Sequence, residues 1–242
     1  MTEPKPPAKI SSGEVAKTRS SGAEMSAFLD QMRNLTPAAS GRGRLIFAMD
    51  ATMSRQPSWD LALKLQADMF RAVKEVGGLD IQLVYFRGLG ETRASKWVGD
   101  PDALAKLMAG VACEGGYTQI RKVLAHARSE SERTRVNALV YVGDCMEENV
   151  DELSQRAGEL GLLGVPAFLF QEGDEPKAER AFKEIARLTR GAYCRFDAGS
   201  ARELRELLKA VAIFATGGRK ALKDFSDASK SSAGSRLLEQ LG

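Results

Sequence analysis

From residue 45 onward, short continuous apolar runs alternate with longer segments whose apolar residues have helical spacing. The first run, LIFAMD at 45–50, is followed by a helical segment that stops at a Gly-Gly pair. A short continuous apolar run indicates a strand buried on both faces, as in parallel sheets covered by helices. Strands that alternate with helices predict parallel pairing through right-handed crossovers. We therefore expect an α/β fold with a doubly wound, mostly parallel six-stranded sheet and helices on both faces.

The predicted elements divide the chain into one domain and two flanking segments. Residues 1–43 are predicted to be disordered, because Pro, Lys, Ser and Gly dominate their first half, with a short amphipathic helix at 23–35. Residues 44–216 form the predicted domain, and 217–242 a flexible tail whose apolar end is either a frayed terminus or a docking peptide. The predicted strands are 44–50, 79–88, 92–98 (a short edge strand), 136–144, 165–173 and 192–199, and the predicted helices are 58–77, 100–111, 117–132, 149–164, 176–191 and 200–218.

Composition argues against several functional classes. Residues 1–44 carry seven Lys/Arg against four Asp/Glu, so much of the net charge of +3 lies outside the domain. The charge distribution therefore argues against nucleic-acid binding, because the usual footprint of such binding is a strong basic stripe. No apolar run approaches the ~20 residues of a membrane span, and the N-terminus lacks the apolar core of a signal peptide. Three cysteines without paired spacing favour reduced thiols in a cytoplasmic protein, and a single histidine argues against a zinc site.

Two of the apolar runs end in an aspartate, at Asp50 and Asp144. In doubly wound sheets, ligands bind outside the carboxyl ends of the strands where the strand order reverses. If the two strands flank that point, both carboxylates face one crevice. Thr52 and Ser54 follow the first aspartate at alternate positions. A plain turn explains the residue types at 50–54 equally well.

A glycine-rich loop supplies a further hydroxyl. Gly115-Gly116 precedes Thr118, which we expect at the start of a helix on the same edge of the sheet, either as a ligand or as a helix N-cap. All the candidates offer oxygen, which suits Mg²⁺, Mn²⁺ or Ca²⁺ and disfavours zinc. A carboxylate from a partner would be able to fill one remaining coordination position. The candidate ligands are Asp50, Thr52, Ser54, Thr118 and Asp144.

The ordered set of motifs resembles the metal-ion-dependent adhesion site of von Willebrand factor type A domains, which have a Rossmann-like sheet. The family pattern is Asp-x-Ser-x-Ser, then Thr, then Asp. Here DATMS has Thr52 at the middle position, GGYT inserts Tyr117 before Thr118, and VGDCMEE has Gly143-Asp144-Cys145 where the family commonly reads Thr-Asp-Gly. The resemblance covers about residues 44–216.

The resemblance implies a divalent cation at the upper rim of the sheet. Ser54, Thr52 and Thr118 would touch the cation directly, and the two aspartates would act directly or through water. We expect Tyr117 and Glu147 on the rim that contacts a partner. The acidic run that contains Glu147 has two interpretations, as a favourable charge at a helix start or as a deterrent to acidic partners.

The predicted function is a non-catalytic, divalent-metal-dependent protein–protein interaction module in an intracellular assembly. The implied partner is a protein that presents a carboxylate, and bacterial members inside the cell are often coupled to an AAA+ ATPase or another assembly machine. One alternative is a degenerate scaffold without metal. Another is a metal-dependent phosphohydrolase with Asp50 as nucleophile. The chain has no Walker loop and no GxGxxG after a strand, and Thr52 stands where a haloacid-dehalogenase-like enzyme would have a second acid.

Overall fold

The computed structural model describes residues 42–74, 77–196, 201–229 and 232–241. The predicted helix at 23–35, and the rest of the segment up to residue 41, lie outside the described residues.

Six strands and seven helices follow one another within the described residues. The strands are β1 (Gly43–Asp50), β2 (Leu79–Arg87), β3 (Glu91–Val98), β4 (Ala138–Gly143), β5 (Ala167–Glu172) and β6 (Ala192–Phe196). The helices are α1 (Gln56–Ala72), α2 (Pro101–Ala109), α3 (Ile120–Arg133), α4 (Val150–Leu162), α5 (Pro176–Leu188), α6 (Ala201–Ser229) and α7 (Ser232–Gln240), and a 3-10 turn at Met53–Arg55 precedes α1. Several predicted boundaries differ by three residues or more, since α1 ends at Ala72 rather than 77, α3 begins at Ile120 rather than 117, and α5 ends at Leu188 rather than 191.

The strands form one sheet in the order β3-β2-β1-β4-β5-β6. All neighbouring pairs are parallel except β2 and β3, which pair antiparallel at the edge. The predicted doubly wound sheet is confirmed, as is the edge position of β3, although this strand, with eight residues, is not shorter than the others. The strand order reverses between β1 and β4, so a ligand crevice is expected at the carboxyl ends of these two strands.

Both faces of the sheet are buried, which explains why β1 reads as a continuous apolar run. Leu45, Phe47 and Met49 face a core shared with α1, α2, α6 and α7. Ile46 and Ala48 face a second core shared with α3, α4 and α5. Since successive strand residues point to opposite faces, a strand between two helical layers needs apolar residues at every position.

The C-terminal residues differ from the predicted flexible tail. Helix α6 continues to Ser229 through a break at Gly218, whose φ of +69° suits glycine. Helix α7 packs back against α6, and Leu237 is fully buried there. Gln240 of α7 also bonds β6, the strand at the other edge of the sheet. Its side chain accepts from Tyr193 N at 2.7 Å and donates to Tyr193 O at 2.9 Å. The terminal leucines thus join the core of their own domain, because α6 offers them an apolar surface.

None of the described helices has both the length and the apolar character needed to cross a bilayer.

Candidate metal centre

Asp50 and Asp144 meet at the carboxyl edge of the sheet. Asp50 is the last residue of β1, and Asp144 directly follows β4, the parallel neighbour of β1. A carboxylate oxygen of each, together with Cys145 Sγ, lies within 4.8 Å of the others. The reversal of strand order thus brings the two aspartates into one crevice.

Thr52 and Ser54 link the two aspartates. The backbone N–H of Thr52 donates to Asp50 Oδ1 at 2.7 Å, and the Thr52 and Ser54 hydroxyl oxygens lie 3.5 Å apart. Ser54 Oγ in turn donates to Asp144 Oδ2 at 3.3 Å. A turn alone accounts for the first contact, but the last one joins two separate strands. The four side chains therefore form one oxygen cluster.

Two carboxylate oxygens of this cluster are buried without a hydrogen bond from any described residue, namely Asp50 Oδ2 and Asp144 Oδ1. Asp50 as a whole is only 1% exposed. Its burial raises the pKa of Asp50 from 3.8 to about 6; hydrogen bonds from Thr52 oppose the rise, and the charge of Asp144 adds to it. A buried carboxylate without a compensating partner is costly. A hard divalent cation would remove that cost, so the donor set fits one.

Cys145 is a poorer ligand than its position suggests. Burial, and then the neighbouring charge of Asp144, raise the pKa of the Cys145 thiol well above its ordinary value. The thiol therefore stays protonated, and its Sγ donates to Glu147 Oε1 at 3.5 Å. Because metals bind the thiolate, the thiol would have to lose its proton to serve as a ligand, whereas the carboxylate and hydroxyl oxygens of the cluster are ready donors for a hard cation.

Thr118 is buried and bonds to Glu147. Its hydroxyl donates to Glu147 Oε2 at 2.7 Å, and its N–H donates to the same oxygen at 3.1 Å. The hydroxyl oxygen also accepts from Glu147 N at 3.3 Å. Among the described residues, no hydrogen bond joins Thr118 to Asp50 or Asp144. A hydroxyl oxygen has two acceptor positions, so one remains available to a cation.

Thr118 is not the N-cap of α3, because another residue caps this helix. Helix α3 begins at Ile120, and Gln119 at its N-cap position makes no capping side-chain bond. Instead, Glu148 accepts from Ile120 N at 2.5 Å and from Arg121 N at 3.1 Å. Glu148, in the acidic run after β4, therefore caps α3, the helix that precedes β4, rather than α4, the helix that follows the run. No sequence signal marked this role, because 28 residues separate Glu148 from Ile120.

The Gly-Gly loop is held against the ends of β1 and β2. Tyr117 N donates to Gly88 O at 3.2 Å, and Glu114 N donates to Ala51 O at 3.0 Å. A Cβ on Gly116 would lie 2.2 Å from the carbonyl oxygen of Gly88, so only glycine permits this approach. The inserted Tyr117 points outward and is 61% exposed, as expected for a rim residue.

A buried charged pair that no sequence pattern predicted lies beside the cluster. The Arg55 side chain is 3% exposed; its Nη1 lies 3.7 Å from Asp144 Oδ2, and its Nη2 bonds Glu172. Ser58 also donates to Glu172, at the end of β5. An arginine between a turn and a helix is ordinarily a surface residue. The two acidic partners of Arg55 lie at the ends of β4 and β5, and they come together only because these strands are neighbours in the sheet.

Exposed apolar side chains lie at the carboxyl edge of the sheet, the edge that holds the cluster. Within the described residues, six large apolar side chains are exposed, and four of them lie at this edge. Met53 is in the 3-10 turn after β1, Leu89 follows β2, Tyr117 precedes α3 and Val150 begins α4. We call Met53, Leu89, Tyr117 and Val150 the apolar rim.

No protein-family model matches this chain, and no curated protein matches its sequence. Solved structures do match it. An aerotolerance-related membrane protein from Bacteroides fragilis aligns at a TM-score of 0.55 and 16% identity, over 71% of this chain and 98% of that one. The SpRpn10 VWA domain aligns at 0.54 and 10% identity, over 71% and 95% of the two chains. Proximal thread matrix protein 1 from the mussel byssus aligns at 0.58 and 15% identity, over 72% of this chain and 47% of that one. At these sequence identities, the matches show a similarity of fold.

Proposed function

Since this chain has the von Willebrand factor type A fold, we propose that it is a non-catalytic module that binds a protein partner through a divalent cation. Domains of this fold serve in interaction and adhesion, as the name of one matching structure, a pilus adhesin from Lactobacillus rhamnosus GG, illustrates. The observation that carries the proposal is the pair of buried carboxylate oxygens, on Asp50 and Asp144, that no described residue hydrogen-bonds.

The proposed ligands are the oxygen atoms already brought together at the sheet edge. Asp50, Thr52, Ser54 and Asp144 form the connected part of the set. Thr118 completes it through its remaining acceptor position. Mg²⁺ is the first candidate, with Mn²⁺ or Ca²⁺ as alternatives, because all these donors are hard oxygens. A bound ion would supply a Lewis-acidic position for an outside carboxylate.

The apolar rim supports a protein as the partner. Exposed apolar side chains around a polar centre are typical of protein interfaces, in which the centre gives specificity and the apolar contacts give affinity. We propose that Tyr117 is the main aromatic contact, since tyrosine is enriched among the residues that dominate binding energy. Glu147 contributes mainly by holding Thr118, because its carboxylate is engaged there.

The partner and its location are proposals of the same kind. We propose a protein that presents an acidic side chain, such as a subunit of an AAA+ ATPase or of another assembly machine in a bacterial cytoplasm. The three unpaired thiols agree with a reducing compartment.

The cation site is tested by isothermal titration of Mg²⁺ and Mn²⁺ into the wild-type protein and the Asp50→Ala/Ser54→Ala variant. We expect saturable one-to-one binding that the variant loses. Asp227→Ala removes an exposed carboxylate from α6 and serves as the control. Equal titration of the wild-type and double-variant proteins contradicts the metal centre.

Partner binding is tested by affinity capture from a bacterial lysate in Mg²⁺ and in EDTA. We expect a protein that is retained in Mg²⁺ only, and that is lost when Asp50→Ala/Ser54→Ala or Tyr117→Ala replaces the wild type. Direct titration of the purified candidate then confirms the interaction. If the same protein is captured in EDTA and by the double variant, metal-dependent binding is contradicted.

One observation favours a scaffold without metal as the second candidate. The positive charge of Arg55 already lies 3.7 Å from Asp144, and Glu147 already engages Thr118. If these contacts replace the cation, the double variant keeps partner binding and only the apolar rim matters. The two experiments above separate the candidates.

A further inference from the structure

We propose that Arg55 acts as a built-in cation that holds down the affinity of the metal centre. The proposal rests on the proposed function, since it concerns the same oxygen cluster. It assigns a role to a side chain that lies outside the expected ligand set.

Arg55 is positioned to oppose a bound ion. Its side chain is almost fully buried, and its guanidinium lies between Asp144, 3.7 Å from Nη1, and Glu172, which bonds Nη2. A buried guanidinium keeps its charge, because arginine does not lose its proton in proteins. Because it faces a proposed ligand from the protein interior, water cannot readily screen it from an ion at the same carboxylate.

The charges near the cluster can be counted. Asp50, Asp144 and Glu172 contribute three negative charges, Glu147, which bonds the proposed ligand Thr118, contributes a fourth, and Arg55 contributes one positive charge. A divalent cation would therefore lower the excess of negative charge from three to one. Replacing Arg55 by a neutral side chain would leave four carboxylates for the same ion, so the attraction would be stronger.

Glu172 sets how far Arg55 opposes the ion. The shared bonding of Glu172 with Arg55 and Ser58 holds the guanidinium toward the end of β5. If Glu172 were neutral, Arg55 would have Asp144 as its main anionic partner. The ion would then compete with a stronger Arg55–Asp144 pair, and its affinity would fall.

The test is titration of Mn²⁺ at pH 7.5 into wild type, Arg55→Met, Arg55→Lys and Glu172→Gln, with folding checked by circular dichroism. We expect Arg55→Met to bind Mn²⁺ roughly ten- to a hundredfold more tightly than wild type, and Glu172→Gln to bind several-fold more weakly. Arg55→Lys keeps the charge and should stay close to wild type. Arg187→Met removes an exposed arginine from α5 and should change nothing.

The outcomes separate this inference from the proposed function. If wild type and Asp50→Ala/Ser54→Ala titrate alike and Arg55→Met gains no binding, the metal centre itself is overturned. If wild type binds Mn²⁺ and folded Arg55→Met binds no more tightly, only the role of Arg55 is overturned. Should Arg55→Met not fold, Glu172→Gln decides, because unchanged affinity in that variant overturns the inference and weaker affinity supports it.

Discussion

Ser54 donates a hydrogen bond of 3.3 Å to Asp144, a residue 90 positions later in the chain. The contact exists because β1 and β4 are neighbours at the point where the strand order reverses. Asp50 and Thr52, by contrast, make a contact that any turn would supply. The long-range bond is thus what distinguishes a built site from a local turn.

The buried carboxylate of Asp50 should make the metal-free protein less stable as the pH rises. The native state raises the pKa of Asp50 from 3.8 to about 6, so between these values it binds a proton that the unfolded state releases. Stability is therefore lost as the pH rises from about 4 to about 6. In EDTA at pH 7.5, Asp50→Asn should be more stable than wild type, by up to about 3 kcal/mol.

Urea unfolding at pH 4 and at pH 7.5 measures this effect, with Asp227→Asn as the control. The advantage of Asp50→Asn should vanish at pH 4 and should reverse when Mg²⁺ is present, because the ion stabilises only the wild type. An Asp50→Asn protein that is less stable than wild type in EDTA at pH 7.5 would refute the argument.

The two loop glycines should respond differently to alanine. A Cβ at Gly116 would lie 2.2 Å from Gly88 O, whereas a Cβ at Gly115 has nothing within 4 Å. Gly116→Ala should therefore displace Thr118 and Glu147, and should weaken both Mn²⁺ binding and thermal stability. Gly115→Ala is the matched control and should leave both unchanged. Equal behaviour of the two variants would show that the loop does not position the site.

The histidine should titrate below its ordinary pKa of 6.5. Burial lowers the pKa of His126, with the charge of Glu130 opposing the shift, and Nε2 shares a hydrogen bond of 2.8 Å with Gln82 Oε1. Because the native state favours the neutral ring, stability falls as the pH drops through the region near 6.5.

The chain has one histidine, so proton NMR of its ring reports this pKa directly. In an Asp50→Asn background, His126→Gln should remove the loss of stability between pH 7 and pH 5. A ring that titrates at or above 6.5 would contradict the predicted direction.

The C-terminal helix should contribute to the stability of the domain. Leu237 is fully buried, so Leu237→Ala should cost about 2–5 kcal/mol of unfolding free energy. Leu162 at the end of α4 is 91% exposed, and Leu162→Ala should change stability by less than about 0.5 kcal/mol. Denaturant unfolding compares the two. If both variants are equally stable, α7 is not part of the cooperative core.

Local patterns were sufficient to predict the frame. Runs such as those of β1 and β4 are apolar at every position, and this follows from burial on both faces. The polar 92–98 stretch was recognised as an edge strand for the complementary reason, since no residue of β3 is fully buried. The alternation of strand-like and helix-like spacing of apolar residues then predicted the doubly wound sheet.

Long-range contacts were beyond that kind of inference. The C-terminal residues were predicted to be a flexible tail, because the sequence does not show that α6 offers Leu237 an apolar surface. Glu148 looked like part of a helix start, yet it caps the helix that precedes it.

The sequence by itself determined the α/β frame and the residues Asp50 and Asp144 at its carboxyl edge, because strand burial and strand ends leave a local signature. Only the tertiary structure decided what surrounds those carboxylates. Strand ends and loops that are distant in sequence meet there, and they form the Arg55–Glu172 pair and the Thr118–Glu147 bond. They also bury two carboxylate oxygens that no described residue hydrogen-bonds. The electrostatics of such a crevice depend on distances of a few ångströms, and these distances exist only after the sheet has assembled.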